Sequence, residues 1–165
     1  MADGSEGTAT ISPCGTWRYD LTRRWAPGGT TCVFVCLNPS TADAEQDDPT
    51  VRRCVRFARD WGHHQFVMLN AYAFRATEPK VMQRAADPIG PENDAYLRAW
   101  AERSAMVVAA WGAHIDRFRQ MQLRAMFRGR LHYLRLTKQG FPGHPLYLPK
   151  TLTPQPWDSP ARHRR

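Results

Sequence analysis

Apolar residues along the chain fall into two kinds of pattern, short unbroken runs and longer stripes at helical spacing. The strongest run is 31–37, Thr-Cys-Val-Phe-Val-Cys-Leu, and 65–70, 105–111 and 131–136 repeat the theme. Runs of this length, rich in β-branched residues, read as strands. Between the first two, Asp48-Pro49 opens a helix, with aspartate as N-cap and proline in the first turn. Val51, Cys54, Val55, Ala58 and Trp61 then recur on one face, Arg52, Arg53, Arg56 and Arg59 lie off it, and Gly62 closes the helix. Thr77-Glu78-Pro79 starts a second helix, 91–104 carries a third with Tyr96, Leu97 and Trp100 inward, and 115–128 is an amphipathic fourth. Strands alternating with helices predict an α/β fold. The expected form is a three-layer α/β/α sandwich around a central, mostly parallel four-stranded sheet covered on both faces.

A single domain over 1–150 accounts for this pattern, with 1–14 expected to be a loose leader. A proline-rich tail, 151–165, ends in Arg162-His163-Arg164-Arg165 and reads as a basic arm. The 165 residues suffice to bury a core without disulfides or metal. No apolar run approaches a membrane span, and the small, polar first residues lack a signal-peptide pattern, so a cytoplasmic, membrane-free protein is expected. Cys32 and Cys36 share one face of a strand, too far apart to bridge. With no C-x-x-C and no zinc spacing, the four cysteines are expected to be buried, reduced thiols, and no metal or cofactor is implied.

Charge adds a partner to the picture. The formal net charge is +8, and lysine supplies only positions 80, 138 and 150 of the 23 basic residues. Arginine grips phosphate with a planar fork, which suits a nucleic-acid partner, although arginine-rich codons produce the same excess. In parallel sheets ligands collect beyond the carboxyl ends of the strands. There the chain places Asn38 before Pro39, Asn70, Trp111-Gly112 and His144 before Pro145. Asn38 reads either as a turn asparagine or as an amide holding water or a sugar-phosphate group. His144, held extended by the following proline, is either a surface histidine or an acid–base group. No P-loop, G-x-G-x-x-G, G-x-S-x-G or zinc-deaminase pattern occurs. Asp48 is committed to its helix cap.

Taken in order, an apolar strand into Asn38-Pro39, then Val67-Met-Leu-Asn70-Ala71, Val107-Val-Ala-Ala-Trp-Gly112 and His144-Pro145, the motifs resemble those of the uracil-DNA glycosylase superfamily over about 31–150. The text Leu-Asn-Pro-Ser-Thr-Ala-Asp, 37–43, also resembles a family of small bacterial and phage proteins of unassigned function, a distant branch of those enzymes. The resemblance implies a monofunctional DNA N-glycosylase that flips out a base and hydrolyses its glycosidic bond. Asn38 would position the water, with Asp43 as its replacement or helper. Asn70, with Tyr72 beside it, would read the flipped base. His144 would donate to the base oxygen as negative charge develops. Tyr147 or Leu148 would fill the gap left in the duplex. Arg52, Arg53, Arg75 and Lys150 would contact phosphates.

Departures refine the expectation. Uracil-specific members carry a tyrosine after the first motif's proline, which blocks C5 of the base. Here Ser40 and Thr41 stand there, leaving room for a 5-substituent. The implied substrate is therefore a modified pyrimidine such as 5-hydroxymethylcytosine or its glucosylated form in phage DNA, and the role antiviral defence. The last motif reads His-Pro-Leu-Tyr, without the phosphate-pinching serine, and Leu37 replaces the usual glycine before Asn38. No strand-end lysine but Lys150 exists for a Schiff base, and the cysteine spacing rejects the family's iron–sulfur cluster. Uracil or mismatch repair, hydrolysis of free nucleotides, and a non-catalytic nucleic-acid-binding module stand as alternatives. A monomer is expected.

Overall fold

The computed structural model describes residues 4–157. Its centre is a seven-stranded sheet in the order β1-β2-β4-β3-β5-β6-β7. The strands are β1 Glu6–Ile11, β2 Arg18–Arg24, β3 Thr31–Cys36, β4 Gln65–Asn70, β5 Val107–Ala109, β6 Leu131–Tyr133 and β7 Gln155–Pro156. The helices are α1 Pro49–Asp60, α2 Pro79–Gln83, α3 Asn93–Arg103 and α4 Arg117–Met126. The α/β class expected from the pattern holds, but the sheet has seven strands where four were expected. β3, β4, β5 and β6 are the parallel set, and β1, β2 and β7 add antiparallel edges.

β3 runs in register with β4 from Thr31↔Gln65 to Cys36↔Asn70. Both faces of these strands are covered, so their sequences are apolar throughout instead of alternating. Cys32, Phe34 and Cys36 pack with Val51, Cys54, Phe57 and Ala58 of α1. Val33 and Val35 turn to the other face, where Met82 of α2, Leu97 of α3 and Leu123 of α4 complete a second core. Helix α1 obeys its sequence signals. Asp48 accepts from the Val51 amide at 2.8 Å, Pro49 occupies the first turn, and Gly62 leaves the helix at φ +84°. Phe57, which the sequence stripe omitted, is buried with it.

Two corrections concern the chain ends. Part of the supposed leader, Glu6–Ile11, is a strand paired with β2. Residues 18–24 (Arg-Tyr-Asp-Leu-Thr-Arg-Arg) form β2, the strand that joins this edge to β4. The tail contributes β7 against β6, while its basic end, 162–165, lies outside the described residues. No helix among the described residues is long and apolar enough to cross a membrane. Cys32, Cys36 and Cys54 are buried, but Cys14 is exposed, contrary to expectation.

Candidate functional site

The first crossover runs from β3 through α1 to β4. The return from β4 passes through α2 and α3 to β5, on the other side of β3. The loops leaving β3 and β5 therefore part in opposite directions and leave a crevice at the carboxyl edge of the sheet. There lies a cavity of about 820 Å³, within the size range of small-molecule sites. The loop after β3 contributes Asn38, Ser40 and Thr41, and the start of α1 contributes Asp48 and Thr50. The loop after β5 gives Trp111 to His114, and the segment after β6 gives Gly143, His144, Tyr147 and Leu148.

Asn38 is held by its amide nitrogen, which donates to the carbonyl of Ala76 at 2.8 Å and to that of Pro39 at 3.1 Å. Those bonds fix the side chain. Its Oδ1 takes no bond from any described residue and remains a free acceptor on the cavity wall. His144 has the opposite polarity. Its Nδ1 accepts from the Leu146 amide at 3.2 Å, which places the proton on Nε2 and makes that atom a donor. Burial pushes the imidazole below the ordinary histidine range, and the nearby Asp48 carboxylate only partly offsets it. A neutral donor and a fixed neutral acceptor thus share one cavity. Tyr147, 84% exposed, stands over the His144 ring with centroids 5.4 Å apart.

Asp48 does more than cap α1. One carboxylate oxygen holds the Val51 amide, yet the residue also lines the cavity, near enough to His144 and Arg18 to favour their charged forms. Arg18, from β2, is fully buried and forms part of the cavity lining. It donates to the Ala42 carbonyl at 2.7 Å, to Met68 Sδ at 3.2 Å and to Asn70 Oδ1 at 3.5 Å. Burial lowers its pKa to about 10, with Asp48 the main opposing influence. Sequence reasoning missed Arg18 because β2 was not recognised as a strand. The turn residues around it, Gly15-Thr16 before and Pro27-Gly28-Gly29 after, were the available signal.

The cavity brings together Asn38, Ser40, Thr41, His144, Tyr147 and Leu148 from the expected set, and leaves others outside. Asp43 turns back into its own loop, accepting from the Glu45 and Gln46 amides at 2.9 and 2.8 Å. Those two bonds hold its carboxyl below the usual range, and the residue is not part of the cavity lining. Asn70 is fully buried and absent from the cavity wall, which is taken there by Arg18 and Met68, so it does not face a bound base directly. Tyr72 lines a second cavity with Met82 and Ile115, its hydroxyl accepting from the Asp116 amide at 3.1 Å. Leu148 is packed in the core beside Gly143 and cannot serve as a wedge. Arg52, Arg53, Arg75 and Lys150 all lie off the cavity. Arg52 bonds the Asp47 carbonyl at 3.4 Å and Arg75 that of Gly15 at 3.2 Å.

Fold and cavity define a mixed α/β protein with a concave, polar-tipped site at a topological switch point. The chain belongs to the family described as protein of unknown function (DUF1643), whose sequence profile matches residues 18–146. The matched span opens on Arg18 and includes Asn38, Asp48 and His144. No curated protein and no solved structure matches the chain.

Proposed function

We propose that the cavity receives a flipped pyrimidine and that the protein is a monofunctional DNA N-glycosylase on a uracil-DNA glycosylase-like α/β/α framework. The observation that carries this reading is the pairing of a fixed acceptor, Asn38 Oδ1, with a neutral donor, His144 Nε2, in one cavity roomy enough for a nucleotide. The C1′–N bond breaks with its electron pair leaving on the base. His144 donates to the base oxygen where that charge gathers. Asn38 accepts a hydrogen bond from the water that adds to C1′; one of the water's protons stays on the new C1′ hydroxyl and the other passes to the departed base anion. Asp48, in place of Asp43, supplies the negative charge that favours the cationic sugar and orients the water. Ser40 and Thr41 at the cavity wall leave space and hydroxyls for a 5-substituent. Tyr147 is the exposed side chain suited to fill the gap in the duplex. The net charge of +8 holds the backbone.

The test is incubation with DNA containing uracil, 5-hydroxymethylcytosine or glucosylated 5-hydroxymethylcytosine, followed by alkaline cleavage of abasic sites. Strand breaks on a 5-modified substrate are expected, consistent with a defence role against phage DNA; intact strands on all three would sink the reading. The two aspartates separate in a second measurement. Asp48→Asn keeps an oxygen for the helix cap and removes the charge, so excision is expected to slow by roughly a hundredfold with little change in melting temperature. Asp43→Asn preserves the loop turn and should leave the rate near that of the unaltered protein. A larger loss from Asp43→Asn would restore the sequence-based assignment.

A further inference from the structure

Three arginines are almost fully buried among the described residues, Arg18, Arg23 and Arg119. Arg23 is paired with Asp47 at 2.7 Å, and Arg119 with Asp94 at 2.7 Å. Arg18 has no ion pair. Its acceptors are a backbone carbonyl, a thioether and a distant amide oxygen, and its Nε has no partner at all. The Nδ2 of Asn70, whose other terminal atom reaches the same guanidinium, is likewise buried and unpartnered. Two adjacent side chains, Arg18 in the cavity lining and Asn70 behind it, therefore hold unspent donors, and no carboxylate bonds the guanidinium directly. Burying a charge is costly unless an opposite charge or good acceptors meet it. Arg23 and Arg119 meet that requirement with carboxylates in direct contact, whereas Asp48 acts on Arg18 only from beyond ion-pair distance.

The geometry points to Arg18, backed by Asn70, as the binding site for an anionic, acceptor-rich heterocycle at the cavity floor. The occupant of choice is the pyrimidine anion released by glycosidic cleavage, so the inference rests on the glycosylase reading and deepens it. When the C1′–N bond breaks, the electron pair spreads over the ring nitrogen and carbonyl oxygens. A guanidinium offers planar N–H donors to such an edge. His144 then acts from the wall as a neutral donor while Arg18 supplies the full positive charge. Asn70 is a positioning residue here. Its Oδ1 lies 3.5 Å from a guanidinium nitrogen and leaves the charge available, which an aspartate at the same place would consume.

Calorimetric titration with two small probes tests this without DNA. Barbiturate is an oxygen-rich pyrimidine that is an anion at neutral pH, and uracil is its neutral counterpart. The unaltered protein is expected to bind barbiturate roughly tenfold or more tighter than uracil. Arg18→Gln and Asn70→Asp should each abolish that preference. Asn70→Asp serves as the second variant because it retains Arg18 and supplies the missing carboxylate within the chain; its melting temperature should not fall. Equal affinity of the unaltered protein for both probes would overturn the inference, as would a preference that survives in Asn70→Asp. The outcomes also separate the two readings. An Arg18-dependent preference for barbiturate without excision of any DNA base keeps the anion site and removes the glycosylase. Excision that depends on His144 but shows no preference for the anion removes Arg18's role alone.

Discussion

Replacing His144 by alanine is expected to slow base excision by roughly a hundredfold or more, the usual cost of losing one preorganised donor to developing charge. The imidazole is committed to that task by its surroundings. Nδ1 is occupied by the Leu146 amide, so Nε2 carries the proton, and burial keeps the ring neutral. Asn38→Ala should cost a similar factor for the complementary reason, since Asn38 Oδ1 is an acceptor whose direction is set by the Ala76 carbonyl. Neither change empties the core, so thermal unfolding should move little while single-turnover rates collapse. Rates near that of the unaltered protein in both variants would show that the two polar tips play no part in catalysis.

The largest loss of stability is expected from Phe34→Ala. Phe34 is fully buried in the central strand β3, stacked on Trp61 at 5.8 Å and tilted against Phe57 and Phe66 at 6.5 and 5.8 Å. Removing a ring so enclosed leaves a cavity that its neighbours cannot collapse to fill, at a cost of about 3–5 kcal/mol. Denaturant titration measures it as a lower midpoint at unchanged slope. Since β3 delivers Asn38 to the cavity, activity should disappear with the folded fraction. A midpoint close to that of the unaltered protein would mean that the packing of α1 on β3 is far looser than these ring distances imply.

The parts of the fold that were legible are those governed by apolar spacing. β3 and β4 lie within their predicted runs because strands covered on both faces must be apolar throughout, and α1 follows its cap, stripe and terminal glycine. The antiparallel edge was not legible. β2 buries Arg18, Asp20 and Arg23 among its seven residues, and three buried polar groups hide a strand from any rule that seeks hydrophobic alternation. β1 is small and polar because one of its sides lacks a neighbour. At the site, motif order at the strand ends placed Asn38 and His144 on one cavity. It did not show that Asp48 lines the cavity and Asp43 does not, because the placement of two nearby carboxylates depends on which amides each one captures. A five-residue difference in position carries no such information. Arg18 was missed for the same reason as β2 itself.

The hairpin at the sheet's edge has a consequence for how the site moves. Through Arg18 it grips the Ala42 carbonyl, and through Arg23 it holds Asp47 and the carbonyls of Asp43 and Gln46. Those contacts span the loop that follows β3. Loops that line binding sites commonly open on their own, at little free-energy cost. This one is tied to a strand, so it rises and falls with the sheet. The cavity is accordingly shaped before any ligand arrives, and a chain shortened to its parallel strands would lose the tether that keeps the opening in form.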